Sequence, residues 1–146
     1  KVRQAVPMFD LIHSVDSKKL LDEIEKVAAK HDKVQDILLQ VNVAREASKS
    51  GMSVEEFPDI RDYAKTLPHV RVKGLMCMAP FFENPEDARP IFRVAHALYE
   101  DMKGYFPDGD IQYLSMGMTH DFEIALQEGA NIVRVGTAIF GERVYN

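Results

Sequence analysis

The chain of 146 residues has the length of one domain or of a large part of one. Hydrophobic residues make up 46% and charged residues 28%, a balance that supports a globular core and excludes collagen, coiled coil and wholesale disorder. The formal net charge is −5 and no long run of lysine or arginine occurs, so a nucleic-acid partner is disfavoured.

The first predicted unit is a strand followed by a helix. Residues 10–15 form a short apolar run with β-branched members, and Asp16 and Ser17 after it are good N-cap residues. Apolar residues then recur at spacings of three and four, which predicts an amphipathic helix. They are Leu20, Leu21, Ile24, Val27, Ala28 and His31.

The second predicted strand, residues 37–43, is apolar except for Gln40 and Asn42, which is typical of a parallel strand covered on both faces. Alternation places these two side chains on one face with Leu38, where they either line a cavity or satisfy one another. A polar loop over residues 44–51 leads to the second helix.

The second helix has two candidate starts. Ser53 and Glu56 have the spacing of a capping box, whereas Pro58 favours a regular helix that begins at the proline itself. The residues expected to face inward are Ile60, Tyr63, Ala64 and Leu67.

The third strand is predicted over residues 70–78. The third helix lies within residues 86–103, with Asn84 and Pro85 as its entry and Pro90 as a residue that kinks or delays it. Alternation along the strand places four residues on one face: Val72, Gly74, Met76 and Met78.

The fourth strand, residues 111–114, is expected to end in a turn at residues 115–119. Thr119 is the expected cap of a fourth helix, which Gly129 ends. The acidic residues near the start of this helix are explained by its dipole rather than as an acid–base pair; they are Asp121 and Glu123.

The fifth strand covers residues 132–135, so strand and helix alternate throughout and predict an α/β fold with a parallel sheet. Two architectures fit this pattern. The units could form a complete flavodoxin-like open sheet, or part of a (β/α)8 TIM barrel, whose full form needs roughly 250 residues.

The last two strand-to-helix turns are candidate phosphate sites, because free backbone N–H groups and positive helix ends converge there in barrels. Hydroxyl groups can donate to phosphate oxygens, and glycine lets the backbone approach a ligand. The same residue types are common in turns that bind nothing. The candidates are Ser115, Gly117, Thr119, Gly136 and Thr137.

Arg134 lies inside the otherwise apolar fifth strand. Because side chains alternate along a strand, Arg134 shares a face with Ile132 and Gly136, and the two neighbouring valines would face the helices. A buried guanidinium needs an anion or several acceptors, so Arg134 is either a ligand clamp or part of a structural ion pair with an interior carboxylate.

Four stretches, in this order and spacing, resemble the pyridoxal phosphate homeostasis protein family. They are Ser-Lys-Ser-Gly at 48–51, Gly-Leu-Met-Cys-Met-Ala-Pro at 74–80, Ser-Met-Gly-Met-Thr-His-Asp at 115–121 and Val-Arg-Val-Gly-Thr-Ala-Ile-Phe-Gly at 133–141. The resemblance implies a TIM barrel of alanine racemase N-terminal type, in which residues 1–146 are one domain comprising the C-terminal five strand-helix units. It also implies that pyridoxal 5′-phosphate (PLP) is bound as a Schiff base on a lysine.

By this resemblance, the phosphate contacts would come from Ser115 with Gly117, Met118 and Thr119, and from Gly136 and Thr137 on the other side. Arg134 would face the pyridine nitrogen. A guanidinium there discourages protonation of that nitrogen and makes the ring a weaker electron sink.

The start of the chain, from Lys1 to Arg3, resembles the segment after the third strand of that family. The first three strands and the Schiff-base lysine are therefore expected upstream of Lys1. Lys49 is expected in a solvated loop and Lys73 at the opposite end of the barrel, so neither matches the cofactor lysine.

The function implied is intracellular vitamin B6 homeostasis: holding PLP and delivering it to PLP-dependent apo-enzymes, without strong catalysis. An amino-acid racemase-like PLP enzyme and a sugar-phosphate barrel enzyme are the alternatives. A monomer is expected. The single cysteine and the lack of an apolar stretch near the roughly 20 residues of a membrane span favour a cytoplasmic protein without membrane partners.

No metal is expected, because the histidines, His13 and His120 among them, do not show metal-ligand spacing and no cysteine pair occurs. Cys77 is expected to pack among helices, since the sequence identifies no base to activate it as a nucleophile.

Overall fold

The computed structural model describes residues 1–46 and 50–136, in which strands and helices alternate. The strands are β1 (Leu11–Val15), β2 (Gln35–Val41), β3 (Val70–Cys77), β4 (Tyr113–Met118) and β5 (Ile132–Arg134). The α-helices are α1 (Val2–Met8), α2 (Lys18–Lys30), α3 (Phe57–Ala64), α4 (Arg89–Met102) and α5 (Phe122–Gln127), and a short 3-10 helix at Pro85–Ala88 precedes α4. Among the helices of these residues, none is long and apolar enough to span a membrane.

The five strands form one parallel sheet in the order β1-β2-β3-β4-β5. A flavodoxin-like sheet would place β1 between β2 and β3. A sheet in which every strand lies beside its predecessor is instead the wall of a barrel. The predicted barrel architecture is therefore confirmed, and the open-sheet alternative is wrong.

The sheet is strongly curved. Strands in a sheet lie 4.7–4.9 Å apart, so a flat sheet would separate the backbones of β1 and β4 by about 14 Å. Yet His13 on β1 and Ser115 on β4 are in contact, with 3.2 Å between Nδ1 and Oγ. The concave face of the sheet thus forms the barrel interior.

The apolar core lies on the convex side, between the sheet and its helices. Alternate strand residues there are essentially inaccessible to solvent, and Phe57 of α3 and Phe92 of α4 pack into the same cluster. The strand residues are Leu39, Val41, Leu75, Cys77, Leu114 and Met116. The predicted position of Cys77 among helices is confirmed.

A bulge in β3 changes the predicted faces of that strand. Ile37 pairs with Val72, but the next residue, Leu38, pairs with Gly74, so Lys73 is an extra residue. Val72 consequently belongs to the helix-side core, and the prediction that it shares a face with Gly74 and Met76 is wrong.

Several predicted caps are confirmed. The Ser17 hydroxyl accepts from the Leu20 N–H at 3.1 Å at the start of α2. Asn84 caps the 3-10 helix, which delays regular helix to Arg89.

At the second helix both candidate starts are used. Ser53 and Glu56 form the reciprocal bonds of a capping box, at 3.1 and 3.0 Å, around the turn before α3. Regular helix then begins at Phe57, with Pro58 in its first turn.

Helix α1 was not predicted, because it is short, contains Pro7 and buries only Val6. Residues far along the chain form hydrogen bonds to its C-terminal end. Lys33 donates to the Val6 and Phe9 carbonyls, and Gln35 donates to the Phe9 carbonyl at 3.1 Å.

The end of β4 also differs from the prediction. The strand extends to Met118, so Ser115 and Gly117 lie within it, and the predicted turn at residues 115–119 is wrong. Helix α5 starts at Phe122 with Asp121 at the N-cap position, which makes Thr119 as the cap wrong as well. The strand continues through residues that are typical of a turn because β4 pairs with β3 and β5.

Candidate functional site

Two of the predicted site residues, Ser115 and Arg134, lie on the interior face of β4 and β5. Ser115 pairs with Met76 of β3 and with Ile132 of β5, and Met118 pairs with Arg134. The strand pairing therefore brings Ser115 and Arg134 into the same part of the barrel interior.

Ser115 is fully buried. In the described part of the chain, the partner of its hydroxyl is the Nδ1 atom of His13, at 3.2 Å. Sequence reasoning did not assign His13 to the site, because its position on β1 is three strands away from β4 in the sheet. The signal available was a polar imidazole inside a short apolar strand.

The imidazole of His13 is half-buried beside a cation. Burial and then the positive charge of Arg134 lower the pKa of His13, since both disfavour a second charge there. His13 is therefore neutral at pH 7 and presents one N–H donor and one acceptor.

The guanidinium of Arg134 is partly buried and has few partners in the part of the chain that the structure describes. Nη2 donates to the Cys77 carbonyl at 3.1 Å, and Nη1 lies 3.8 Å from the Met76 sulfur. Nε is buried and has no hydrogen-bond partner among the described residues. Burial lowers the pKa of Arg134, because the charged form loses water.

The ion-pair interpretation of Arg134 finds no support in the described residues, where it forms no salt bridge. The negative charge of Asp121 acts on Arg134, but no ion pair joins them in this part of the chain, and one oxygen of Asp121 accepts from the Met118 N–H at 2.8 Å. An arginine keeps its charge at neutral pH, so an N–H donor that no described residue satisfies favours a ligand with an acceptor group.

The remaining residues of the predicted phosphate turn have different environments. Gly117 has φ of +101°, and a Cβ there would lie 2.6 Å from the Cβ of Ala125 in α5. Packing of α5 therefore requires this glycine independently of any ligand. Met118 is 43% exposed, and Thr119 lies between β4 and α5.

Gly136 is exposed, and no described atom lies within 4 Å of a Cβ placed on it. None of the described residues therefore blocks the approach of a ligand to the backbone there. Thr137 and Lys49, for which the sequence also made predictions, lie outside the described residues. Lys73 lies at the bulge in β3, and its side chain is 8% exposed.

A second group of polar side chains lines a cavity of about 290 Å³ next to Met76 and Met78. Gln40 and Asn42 both line it, which favours the cavity over the alternative that they satisfy one another. Asn42 is bonded to the backbone of Glu46, with Nδ2 donating to its carbonyl at 2.7 Å. The other polar residues of this cavity are Ser14 and Ser50.

Cys77 is unsuited to nucleophilic chemistry. Burial raises the pKa of its thiol to about 12, so the thiolate is scarce at neutral pH. In the described part of the chain, no group of three His, Cys, Asp or Glu residues could hold a metal ion. His120 lies at the rim, where its ring packs on Phe81 with 4.3 Å between the centroids.

Within residues 1–46 and 50–136, the barrel interior combines a cation whose Nε–H has no partner, a buried hydroxyl bonded to an imidazole, and a backbone at Gly136 that no described atom crowds. Such a set of donors suits a ligand that carries a phosphate and a further acceptor.

The family "Alanine racemase, N-terminal domain" matches residues 1–144. Two of the relatives are pyridoxal phosphate homeostasis proteins. The one from Aquifex aeolicus is 47% identical over 145 residues, covering 99% of this chain and 63% of the relative. The one from Pasteurella multocida is 36% identical over 146 residues, covering 100% of this chain and 63% of the relative.

Comparison with solved structures shows the same fold. PipY of Synechococcus elongatus without PLP superposes with a TM-score of 0.88 at 32% identity, covering 97% of this chain and 66% of PipY. PipY with PLP bound superposes with a TM-score of 0.79 over 97% of this chain and 65% of PipY. Diaminopimelate decarboxylase from Helicobacter pylori, at 14% identity and a TM-score of 0.74, shares the fold.

The chain belongs to the alanine racemase N-terminal domain family, as its resemblance to homeostasis proteins implied. It spans about 63% of the length of the curated relatives named above.

Proposed function

We propose that this chain is the C-terminal part of a (β/α)8 barrel that binds PLP and serves PLP homeostasis. The observation that carries the proposal is the Arg134 guanidinium on the interior face, whose Nε is buried and has no hydrogen-bond partner among the described residues. Homologues named pyridoxal phosphate homeostasis protein and the PLP-bound structure of PipY support it.

The donors fit the groups that PLP presents. PLP supplies an aldehyde, a pyridine ring and a phosphate. The Ser115 hydroxyl would hold the phosphate, with Gly117, Met118 and Thr119 next to it. The second side of the phosphate would be held by Gly136 and Thr137. The Met118 N–H is bonded to Asp121, so it is not the donor that Met118 would offer to the phosphate.

The role proposed for Arg134 is to face the pyridine nitrogen. A guanidinium cannot accept a proton and donates to that nitrogen, which opposes protonation of the ring. An unprotonated ring withdraws electrons weakly, so this site favours holding PLP over carbanion chemistry. We therefore propose a non-catalytic role, in which PLP is bound reversibly and passed to PLP-dependent apo-enzymes.

The Schiff-base lysine is proposed to lie upstream of Lys1. β1 is an edge strand among the described residues, and three further strands would complete the barrel there. The assembled protein is proposed to be a cytoplasmic monomer.

Borohydride reduction after addition of PLP, followed by intact mass and peptide mapping, tests the binding proposal. A single pyridoxyl adduct on one lysine upstream of Lys1 is the expected result. If no defined lysine is labelled, PLP binding is contradicted and the sugar-phosphate alternative is favoured. Amino-acid-dependent exchange of the Cα hydrogen with deuterated solvent would contradict the non-catalytic role.

Arg134→Ala tests the residue that carries the proposal. Bonds from charged donors contribute roughly 1.5–3 kcal/mol, so the affinity for PLP should fall about ten- to a hundredfold, measured by absorbance titration. Arg71→Ala is the matched control, because Arg71 pairs with Asp36 at the amino end of the strands. Equal affinities of the wild type and Arg134→Ala would show that Arg134 does not contact the ligand.

A further inference from the structure

The contact between His13 and Ser115 joins two strands that have two others between them. Both residues lie in the barrel interior, 102 positions apart in the chain. In the described residues Ser115 Oγ has no other hydrogen-bond partner, so the orientation of the hydroxyl depends on His13.

The direction of this bond decides what the hydroxyl can do. A serine hydroxyl has one proton and two acceptor positions. When His13 Nδ1 carries its hydrogen and donates to Oγ, the hydroxyl proton remains available for an anion. When Nδ1 instead accepts from the hydroxyl, only lone pairs are left to face the anion, which is unfavourable. A phosphate beside Ser115 therefore selects the Nδ1–H tautomer.

We propose that His13 is a positioning residue for the phosphate group: its Nδ1–H donates to Ser115 Oγ and directs the hydroxyl proton toward a phosphate oxygen. This inference rests on the proposed PLP function and adds the residue that orients its anion contact. His13 acts through Ser115, so its contribution should vanish when either the hydroxyl or the phosphate is removed.

The first experiment compares PLP with pyridoxal, which lacks the phosphate, in the intact protein. A hydrogen bond contributes roughly 0.5–1.5 kcal/mol, so His13→Ala should weaken PLP binding about three- to tenfold. The affinity for pyridoxal should stay within experimental error. His31→Ala, which changes an exposed histidine at the C-terminal end of α2, is the control and should change neither affinity.

A double-mutant cycle with Ser115→Ala gives the second readout. In the Ser115→Ala background, His13→Ala should produce no further loss of PLP affinity, because the hydroxyl that it orients is gone. His13→Asn should restore most of the affinity, since its amide can donate from near the position of Nδ1. Thermal unfolding of each variant shows that the fold is intact.

Three results would overturn the proposal: equal losses for PLP and pyridoxal, additive losses in the cycle, or no loss in His13→Ala. A wild-type protein that binds neither PLP nor pyridoxal would instead contradict the proposed function itself. The two failures are therefore distinguishable.

Discussion

Leu114 and Ser115 are neighbours in β4 and both are fully buried, yet they belong to opposite faces of the sheet. Leu114 packs in the apolar helix-side core. Ser115 faces the interior with His13 and Arg134, where the described residues leave some polar atoms unpaired. Buried residues therefore differ between the two faces: those on the helix side stabilise the fold, and those on the interior side are the ones proposed to bind a ligand.

The largest effect is expected on the helix-side face. Leu114→Ala should lower the free energy of unfolding by about 2–5 kcal/mol, because it removes buried apolar contacts and leaves a cavity. Chemical denaturation measures this loss. PLP affinity under native conditions should be unchanged. A selective loss of affinity would contradict the assignment of stability to the helix-side face and of binding to the interior face.

The next residue along the strand should show the opposite behaviour. Ser115→Ala should weaken PLP binding about ten- to a hundredfold, since a bond to a charged group contributes roughly 1.5–3 kcal/mol. Its free energy of unfolding without PLP should change by about 1 kcal/mol or less. Unchanged affinity in a titration would place the phosphate elsewhere.

Gly117 and Gly136, the two glycines of the predicted phosphate turns, should differ in their effects on stability and on PLP binding. Gly117→Ala should destabilise the protein by about 1–3 kcal/mol, because Gly117 has positive φ and contacts α5. At Gly136, an added Cβ would meet none of the described atoms, so Gly136→Ala should leave thermal stability unchanged and any loss of PLP affinity there reports a ligand contact. Equal thermal shifts in the two variants would contradict this distinction.

The smallest effect concerns pH. The folded state lowers the pKa of His13 below its ordinary value of 6.5, so the unfolded chain binds this proton more readily. Stability should therefore fall as pH drops through about 6.5. His13→Asn should lose less stability than wild type between pH 7 and 5 in parallel melts, by a small amount because water screens a half-buried group. Identical pH profiles would show that His13 is not linked to folding.

Much of the convex face could be predicted from local pattern. The amphipathic stripe of α2, its Ser17 cap and the position of Cys77 follow from periodicities and capping rules that act over a few residues. The interior face was predicted less completely. Arg134 was identified as a polar residue in an apolar strand, whereas His13 was not assigned to the site.

The errors share one cause. The bulge at Lys73 places Val72 on the helix side of the sheet. Pairing with β3 and β5 extends β4 into residues that are typical of a turn. Helix α1 depends on bonds from Lys33 and Gln35, which lie far along the chain. None of these features is encoded within a short window of sequence.

The sequence by itself determined the alternation of strands and helices, the apolar core between them and the motifs of the family, because these depend on local spacing and residue type. Only the tertiary structure decided between the open sheet and the barrel, and only it joined His13 to Ser115 and buried the Arg134 Nε without a partner among the described residues. The physical reason is the curvature of the sheet, which brings together side chains that neither strand order nor periodicity places in contact.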